Sequence, residues 1–363
     1  MTGPQRTIMI MAGGTGGHVF PALAVARYLA ERNWRVVWLG TRRGMEARLL
    51  QNYSFDMVWI SFAGMRGKGL LRWLKMPFAL GISLLQSMRA ILHYRPQVVL
   101  GMGGFTAFPG GLAAWLLRRP LALHEQNSIA GLTNKALAHF ARKIMTGFPG
   151  VLASPKTEWV GNPVRHEIAA LATPAQRFSG RRGPLSLLVV GGSLGAQALN
   201  ETVPKAIALL PLDARPEIIH QAGQNQLEAL SENYRAAGVS AQTKAFIDDM
   251  AAAYAGCDLI ICRAGALTVA ELSAAGVASI LVPFPFAVDD HQTFNAKFLS
   301  DRGAAILLPQ TELQAEKLAA LIAAMTRENL LVMAEKARAL AKPDATEAAA
   351  ERCIALAGVR HAA

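Results

Sequence analysis

Short apolar runs alternate with longer amphipathic stretches along the chain, the pattern of parallel strands buried on both faces and covered by helices. Runs at 7–12, 36–40, 98–101, 121–124, 185–190, 217–220, 259–262 and 279–282 predict strands, and 21–32, 132–140, 196–210, 268–275 and 292–302 predict helices. Two stretches look like the start of a doubly wound domain, TIMIMAGGTGGH at 7–18 and LSLLVVGGSLGAQ at 185–197. Their glycine pairs, Gly13-Gly14 and Gly191-Gly192, lie 178 positions apart, close to half of the 363 residues. The expected fold class is therefore α/β, with two similar doubly wound domains in tandem at 1–165 and 166–342. A tail at 343–363 follows the Pro343-Asp344 break and has a helical pattern.

Composition narrows this further. Hydrophobic residues make up 52 % and charged residues 17 %, which excludes a disordered chain. No run reaches the roughly 18–20 apolar residues of a membrane span, and the apolar stretch at 7–12 is too short for a signal-peptide core. Cys257, Cys262 and Cys353 make no disulfide framework, so a reducing cytoplasm is expected. The net charge of +12 is unevenly spread. Residues 1–165 carry 20 Lys and Arg against 5 Asp and Glu, a net of +15, and the rest carry 17 against 20, a net of −3. The first half should attract polyanions or an anionic membrane. No helix-turn-helix, RNP or zinc-finger pattern accompanies it, so nucleic acid is not the expected partner.

Glycine-rich or polar segments follow the expected strands: GGTGGH (13–18), GMGGFTAFPGG (101–111), HEQN (124–127), GGSLGA (191–196), RAGALTVAE (263–271) and PFPFAVDDHQ (283–292). In open α/β sheets ligands bind at these carboxyl ends, and glycine turns leading into helices favour phosphate. A dinucleotide fits poorly, because Val19 stands where GxGxxG needs its third glycine and WLGTRRG puts arginines where an acidic residue should hold the ribose. No GxxxxGK[ST], HExxH or DxD occurs, so no metal site and no cofactor are expected.

Three places carry candidate chemistry. His18, at the mouth of the first helix, is expected to stay neutral and act as a general base on a hydroxyl; a helix-capping role is the plainer alternative. Glu125 and Asn127 are weaker candidates, one positioning the acceptor and the other hydrogen-bonding it. Glu271 lies one turn into a helix after an apolar strand, placed to accept ribose hydroxyls while N–H groups near Gly265–Leu267 hold a diphosphate; a solvated carboxylate is the alternative. The segment 64–95 mixes Leu70, Leu71, Trp73, Leu74, Phe78 and Leu80 with Arg66, Lys68, Arg72, Lys75 and Arg89. It fits either an interfacial membrane patch or core packing.

The motifs GGTGGHVFPALAVA, GMGGF, HEQNSIAGLTNK, FPG, VGNPVR, VVGGSLGA, FIDDMAAAYA, CRAGALTVAEL and DDHQTFNA, in this order along essentially the whole chain, closely resemble the MurG family. These are the UDP-N-acetylglucosamine–N-acetylmuramyl-(pentapeptide) pyrophosphoryl-undecaprenol N-acetylglucosamine transferases of peptidoglycan synthesis. The resemblance implies a GT-B fold, two Rossmann-like domains facing across a cleft with the last helix returning to the first. It implies metal-independent, inverting transfer of N-acetylglucosamine from UDP-GlcNAc to the 4-hydroxyl of the muramic acid of lipid I, giving lipid II, on the cytoplasmic face of the inner membrane. Cell-wall synthesis and division proteins would be its partners. His18 fits the base this reaction needs, with Glu125 and Asn127 as the further catalytic candidates, and the donor contacts are carried over by motif. The UDP-GlcNAc contacts would be Thr15, Gly16, Gly17, Asn127, Arg165, Ser193, Ile247, the run Ala266, Leu267, Thr268, Val269, Ala270 and Glu271, and Gln292. Ile247 would meet the uracil, Glu271 the ribose, Ser193 a phosphate and Gln292 the sugar hydroxyls. Two departures stand out: RAG where some members have RSG, and FPFAV before DDHQ where many have a polar turn.

Two other readings share these features. A UDP-N-acetylglucosamine 2-epimerase would need neither a lipid acceptor nor a basic half. A membrane-docked sugar-nucleotide-binding subunit would need no complete set of loops.

Overall fold

The structure is a computed structural model that describes residues 5–62, 70–192 and 195–358, without the side chains of 70–75 and 288. The chain forms two compact units, one running to Val164 and resuming at Pro343, the other Arg165–Lys342.

The first unit is built on strands β1 (Thr7–Met11), β2 (Arg35–Gly40), β3 (Asp56–Trp59), β4 (Val98–Gly101), β5 (Leu121–Glu125), β6 (Lys143–Thr146) and β7 (Thr157–Trp159), all parallel in the order β3-β2-β1-β4-β5-β6-β7. Every residue of β1 is buried, as expected of a central strand covered on both faces. Its register pairs Ile8 with Val36 on one side and with Val98 on the other. One side of the sheet packs on the helix Gly16–Ala30 and on the terminal helix Ala345–Gly358, whose Ala349, Ala350 and Cys353 join the core of Ile8, Ile10 and Val25. Arg352 fastens that helix with a two-pronged contact to Glu158, at 2.9 and 2.6 Å.

The second unit carries β8 (Ser186–Val190), β9 (Glu217–Gln221), β10 (Gln242–Lys244), β11 (Leu259–Cys262), β12 (Ala278–Leu281) and β13 (Ile306–Leu307), again parallel, in the order β10-β9-β8-β11-β12-β13. Both units are thus doubly wound, and in both the winding reverses beside the first strand: between β1 and β4, and between β8 and β11.

The expected strands are all present, with ends shifted by a residue or so. Strands β3, β6, β7, β10 and β13 go beyond the expected ones, and the remaining differences lie in the helices. The first begins at Gly16 and contains Pro21, so His18 sits in its first turn rather than ahead of it. The glycine-rich stretch 101–111 is only in part a loop, since Ala107–Leu116 is helical. Gly110 and Gly111 belong to that helix because they press against Met11 and Leu137, where a Cβ would have no room. Of the segment 64–95, Leu70–Tyr94 is one helix with two faces. Ser83, Ser87, Ala90 and Ile91 are buried, while Phe78, Ile82, Leu85 and Leu92 are exposed. Arg66, Lys68 and the side chains of Leu70, Leu71, Arg72, Trp73, Leu74 and Lys75 lie outside the described residues.

Candidate functional site

In the first unit, the loops after β1 and β4 leave the sheet at its switch point and touch each other. The first is fixed from below. Trp38 donates its indole N–H to the carbonyl of Ala12 at 2.9 Å. Glu46, fully buried, accepts from the Gly14 N–H (3.2 Å), the Thr41 N–H (2.8 Å) and the Thr41 hydroxyl (3.0 Å). The second loop brings Gly103 and Gly104, with φ of +85° and +77°, against it. A Cβ at Gly104 would overlap the carbonyl oxygen of Gly13, and one at Gly103 would stand 3.0 Å from the ring of His18. Two helices start here, Gly16–Ala30 and Ala107–Leu116, and their first-turn N–H groups make the place favourable to an anion. Thr15 and Gly17 are exposed and Gly16 half-buried.

His18 is held through its ring. Its Nδ1 lies 2.9 Å from Oε1 of the buried Gln126, whose Nε2 lies 3.1 Å from Nδ1 of His124 and donates to the His124 carbonyl at 3.2 Å. His124 Nε2 lies 2.9 Å from the carbonyl of Gly161. Burial pushes the His124 imidazole down to about 4, against the pull of that carbonyl, so it is neutral at pH 7.

Glu125, also buried, faces another way. Its carboxylate accepts from the N–H groups of Asn127 and Gly131, both at 3.0 Å, and from the Asn134 amide at 2.9 Å, with the Asn127 amide at 3.4 Å. The residue therefore ties the 127–131 loop to the helix Leu132–Ala138 and brings Asn127 to it.

In the second unit the corresponding loop follows β8. Gly192 and Gly195 have φ of +87° and +77°, and a Cβ on Gly195 would overlap the Ala222 carbonyl oxygen. Gln221 donates to the Gly192 carbonyl at 3.0 Å, and Asn200 to the Ala222 carbonyl at 3.1 Å. Ser193 lies outside the described residues. The loop after β11 leads into the helix Ala266–Ala275, with Gly265 as its N-cap in an extended conformation. Ala266, Leu267 and Thr268 form its first turn; Val269 is fully buried in the core and Ala270 is half-buried. Arg177 donates to the carbonyls of Ala275 (2.7 Å) and Gly276, placing a cation at the negative end of that helix.

Glu271 is mostly buried and already partnered. Arg165 donates to its Oε1 from Nε and a terminal nitrogen at 3.1 and 2.9 Å, and Tyr254 donates its hydroxyl to Oε2 at 3.1 Å. Burial raises the Glu271 carboxyl and Arg165 opposes the rise. Ile247 is buried beside the exposed Phe246. Gln292 accepts the Phe284 N–H on its Oε1 at 2.9 Å, which folds the 284–292 turn onto the start of the helix His291–Ser300. Among the described residues no three His, Cys, Asp or Glu side chains converge as a metal-holding group.

The structure gathers Thr15, Gly16, Gly17 and His18 at the start of one helix, sets Glu125 and Asn127 side by side, and joins Arg165 to Glu271 in an ion pair. Sequence reasoning passed over Glu46, Gln126, Gln221 and Asn200. Gln126 stood inside a quoted motif; nothing near Glu46 in sequence signals its burial, although the glycines at 13, 40 and 44 all leave room for it.

Comparison with known proteins agrees along the chain. Residues 8–146 match the glycosyltransferase family 28 N-terminal domain and 186–351 the C-terminal domain of that family. A protein of Dechloromonas aromatica (strain RCB) is 60 % identical over 353 residues, 97 % of this chain and 99 % of its own. One of Azoarcus sp. (strain BH72) is 58 % identical over 358 residues, 99 % of this chain and 100 % of its own. Both are named UDP-N-acetylglucosamine--N-acetylmuramyl-(pentapeptide) pyrophosphoryl-undecaprenol N-acetylglucosamine transferase. The crystal structure of Acinetobacter baumannii MurG superposes with a TM-score of 0.86 at 43 % identity, covering 97 % of this chain and all of that one.

Proposed function

The chain belongs to the MurG family of glycosyltransferases, and from that premise we propose how its two units share the reaction. The enzyme transfers N-acetylglucosamine from UDP-N-acetylglucosamine to the muramyl sugar of lipid I, giving lipid II for peptidoglycan. The observation that carries this activity is the near-complete match, at 55–60 % identity, to curated transferases of that name.

The second unit binds the donor. First-turn N–H groups of Ala266, Leu267 and Thr268, together with Gly191, Gly192 and Gly195, receive the diphosphate, and Arg165 adds positive charge. Glu271 takes the ribose hydroxyls, Ile247 borders the uracil and Gln292 reads the sugar with its amide. The first unit takes the acceptor diphosphate at the paired loops 13–17 and 102–106. Its net charge, counted to residue 165, is +15, which favours that anion.

His18 acts as general base. Its Nε2 accepts the proton of the acceptor 4-hydroxyl as the oxygen bonds to the anomeric carbon of GlcNAc. The bond from that carbon to the UDP oxygen breaks on the opposite face, so the anomeric configuration inverts. Charge gathers on departing UDP, where the start of the helix Ala266–Ala275 stabilises it. Glu125 works by holding Asn127 and the loop behind it.

Among the described residues no helix is long and apolar enough to cross a membrane. The exposed row Phe78, Ile82, Leu85 and Leu92, with Trp115 and Leu116 on the neighbouring helix, supports docking on the membrane that carries lipid I. Exposed Arg89 and Arg118 add attraction to anionic lipid.

The test is UDP release in the presence and absence of a muramyl-pyrophosphoryl-lipid acceptor. Release that needs the acceptor is expected; UDP-ManNAc formed without it would mark an epimerase, and binding of both substrates without turnover a delivery subunit. His18→Ala should keep UDP-GlcNAc binding and lose turnover by about 10²-fold or more.

A further inference from the structure

We propose that Gln126 is a positioning residue that fixes the tautomer of His18, leaving its basic lone pair on Nε2. The inference rests on the reading of His18 as the base and concerns how that base is kept in its working form.

The assignment starts from two backbone carbonyls, which can only accept. The Gly161 carbonyl, 2.9 Å from Nε2 of His124, requires that this nitrogen carry the hydrogen. Neutral His124 therefore presents a bare Nδ1. The His124 carbonyl, 3.2 Å from Nε2 of Gln126, requires that the amide nitrogen be the end pointing there, and the same NH₂ group reaches His124 Nδ1 at 3.1 Å. The amide thus has both hydrogens placed, and turning it over would set oxygen against a carbonyl and a bare ring nitrogen. Its oxygen is left facing His18 Nδ1 at 2.9 Å, so Nδ1 holds the hydrogen and Nε2 the lone pair.

The surroundings hold the amide in place. Gln126 is 1 % exposed and His124 wholly buried, which denies water to either as a competing partner. Asn162 donates to the Gln126 carbonyl at 2.9 Å, and Asn134 to the His124 carbonyl at 3.2 Å, so the backbone bearing both side chains is tied. The His18 ring is flanked by Gly103 and Gly104, whose missing side chains leave it room without adding charge. The Glu125 carboxylate, next in sequence to Gln126, is turned to Asn127, Gly131 and Asn134. A neutral amide is therefore what orients the base. It fixes the tautomer as the aspartate of a catalytic triad does, but leaves the imidazole without a carboxylate partner. When His18 takes the proton, Nδ1–H keeps donating to the amide oxygen, and no second transfer is needed.

The experiment is a ¹⁵N–¹H correlation of the ring nitrogens in ¹⁵N-histidine-labelled full-length protein, with the His18 signals assigned by their loss in His18→Gln. Protonated Nδ1 and unprotonated Nε2 are expected at pH 8. In Gln126→Met the His18 signals should shift to a mixture of tautomers, kcat should fall about 10-fold, and KM for UDP-GlcNAc should stay within about 2-fold. A His18 carrying its hydrogen on Nε2 in the unmodified protein overturns the proposal, whatever the variant does. So does a Gln126→Met enzyme with unchanged tautomer and kcat. If instead His18→Ala retains full kcat, the base assignment falls while the tautomer result stands, so the two failures are told apart.

Discussion

Replacing Glu46 removes a buried carboxylate from beneath the loop that follows β1. Its side chain is wholly buried and accepts three hydrogen bonds, one from Gly14 and two from Thr41. Glu46→Ala strands the Gly14 and Thr41 N–H groups in the interior, at about 1–3 kcal/mol each, and leaves a void between Gly13, Gly40 and Gly44. Some water entry offsets this, so the expected loss is about 3–5 kcal/mol. Glu46→Gln is the sharper probe. Its amide oxygen can keep both Thr41 bonds, but the nitrogen then meets the Gly14 N–H donor to donor, for a loss of about 1–2 kcal/mol. All six tryptophans (34, 38, 59, 73, 115 and 159) lie in the first unit, so tryptophan fluorescence in urea follows that unit's unfolding. The same variants should lose kcat/KM for the lipid acceptor by about 10-fold, because the loop that leads into His18 is no longer held. Unfolding free energies for both variants within about 0.5 kcal/mol of the parent, with unchanged kcat/KM, would refute the role given to Glu46.

Gly195→Ala should cost about 3 kcal/mol and weaken UDP-GlcNAc binding more than 10-fold, since its Cβ meets the Ala222 carbonyl. Gly192→Ala has open space at its Cβ and should cost only about 1 kcal/mol of left-handed strain; calorimetry showing equal effects would contradict this. Bonds from Arg352 and Lys143 hold the Glu158 carboxyl down at about 2, below its ordinary 4.5. A depressed carboxyl stabilises the fold above pH 4.5 and loses that contribution as pH falls toward 2, so the parent should lose about 1 kcal/mol more than Glu158→Gln between pH 6 and pH 3. Parallel urea midpoints in the two proteins would argue against the pairing. Finally, Phe78→Glu with Ile82→Glu should weaken binding to phosphatidylglycerol vesicles at least about 10-fold, and undiminished sedimentation with vesicles would remove that face from the docking surface.

The legible parts of the fold were those whose signal is local. β1, β4, β8 and β11 read directly as unbroken apolar runs because a central parallel strand is buried on both faces, and the glycine loops behind them mark the switch points. β3, β7, β10 and β13 did not show, being two to four residues long, nowhere fully buried, and free of any period to detect, and β6, though mostly buried, is four residues long with Lys143 and Thr146 at its ends. The helix Ala107–Leu116 was hidden by its own composition. Phe-Pro-Gly-Gly reads as a turn, and only contact with Met11 and Leu137 explains why glycine is used there at the cost of helix propensity.

The site divides in the same way, and the division has a physical reason. His18 and Glu271 could be chosen from sequence because each combines a reactive side chain with a loop or helix start that its neighbours announce, whereas Arg165 and Gln292 came only with the family motifs they stand in. What holds them could not be. Gln126 meets His18 across 108 positions and Arg165 meets Glu271 across 106, and these pairings depend on strand order, not on spacing. The HEQN motif illustrates the consequence. Its two candidates, Glu125 and Asn127, drew attention as chemistry, yet Glu125 spends its carboxylate on the backbone N–H groups of Asn127 and Gly131 and the amides of Asn127 and Asn134, and neutral Gln126 is the residue that reaches His18. The alternation of β5 carries on one residue past its end at Glu125, so His124 and Gln126, which meet through their side chains, point one way and Glu125 the other. A single residue's shift of the strand would have exchanged an amide for a carboxylate beside His18, giving the ring a charged partner.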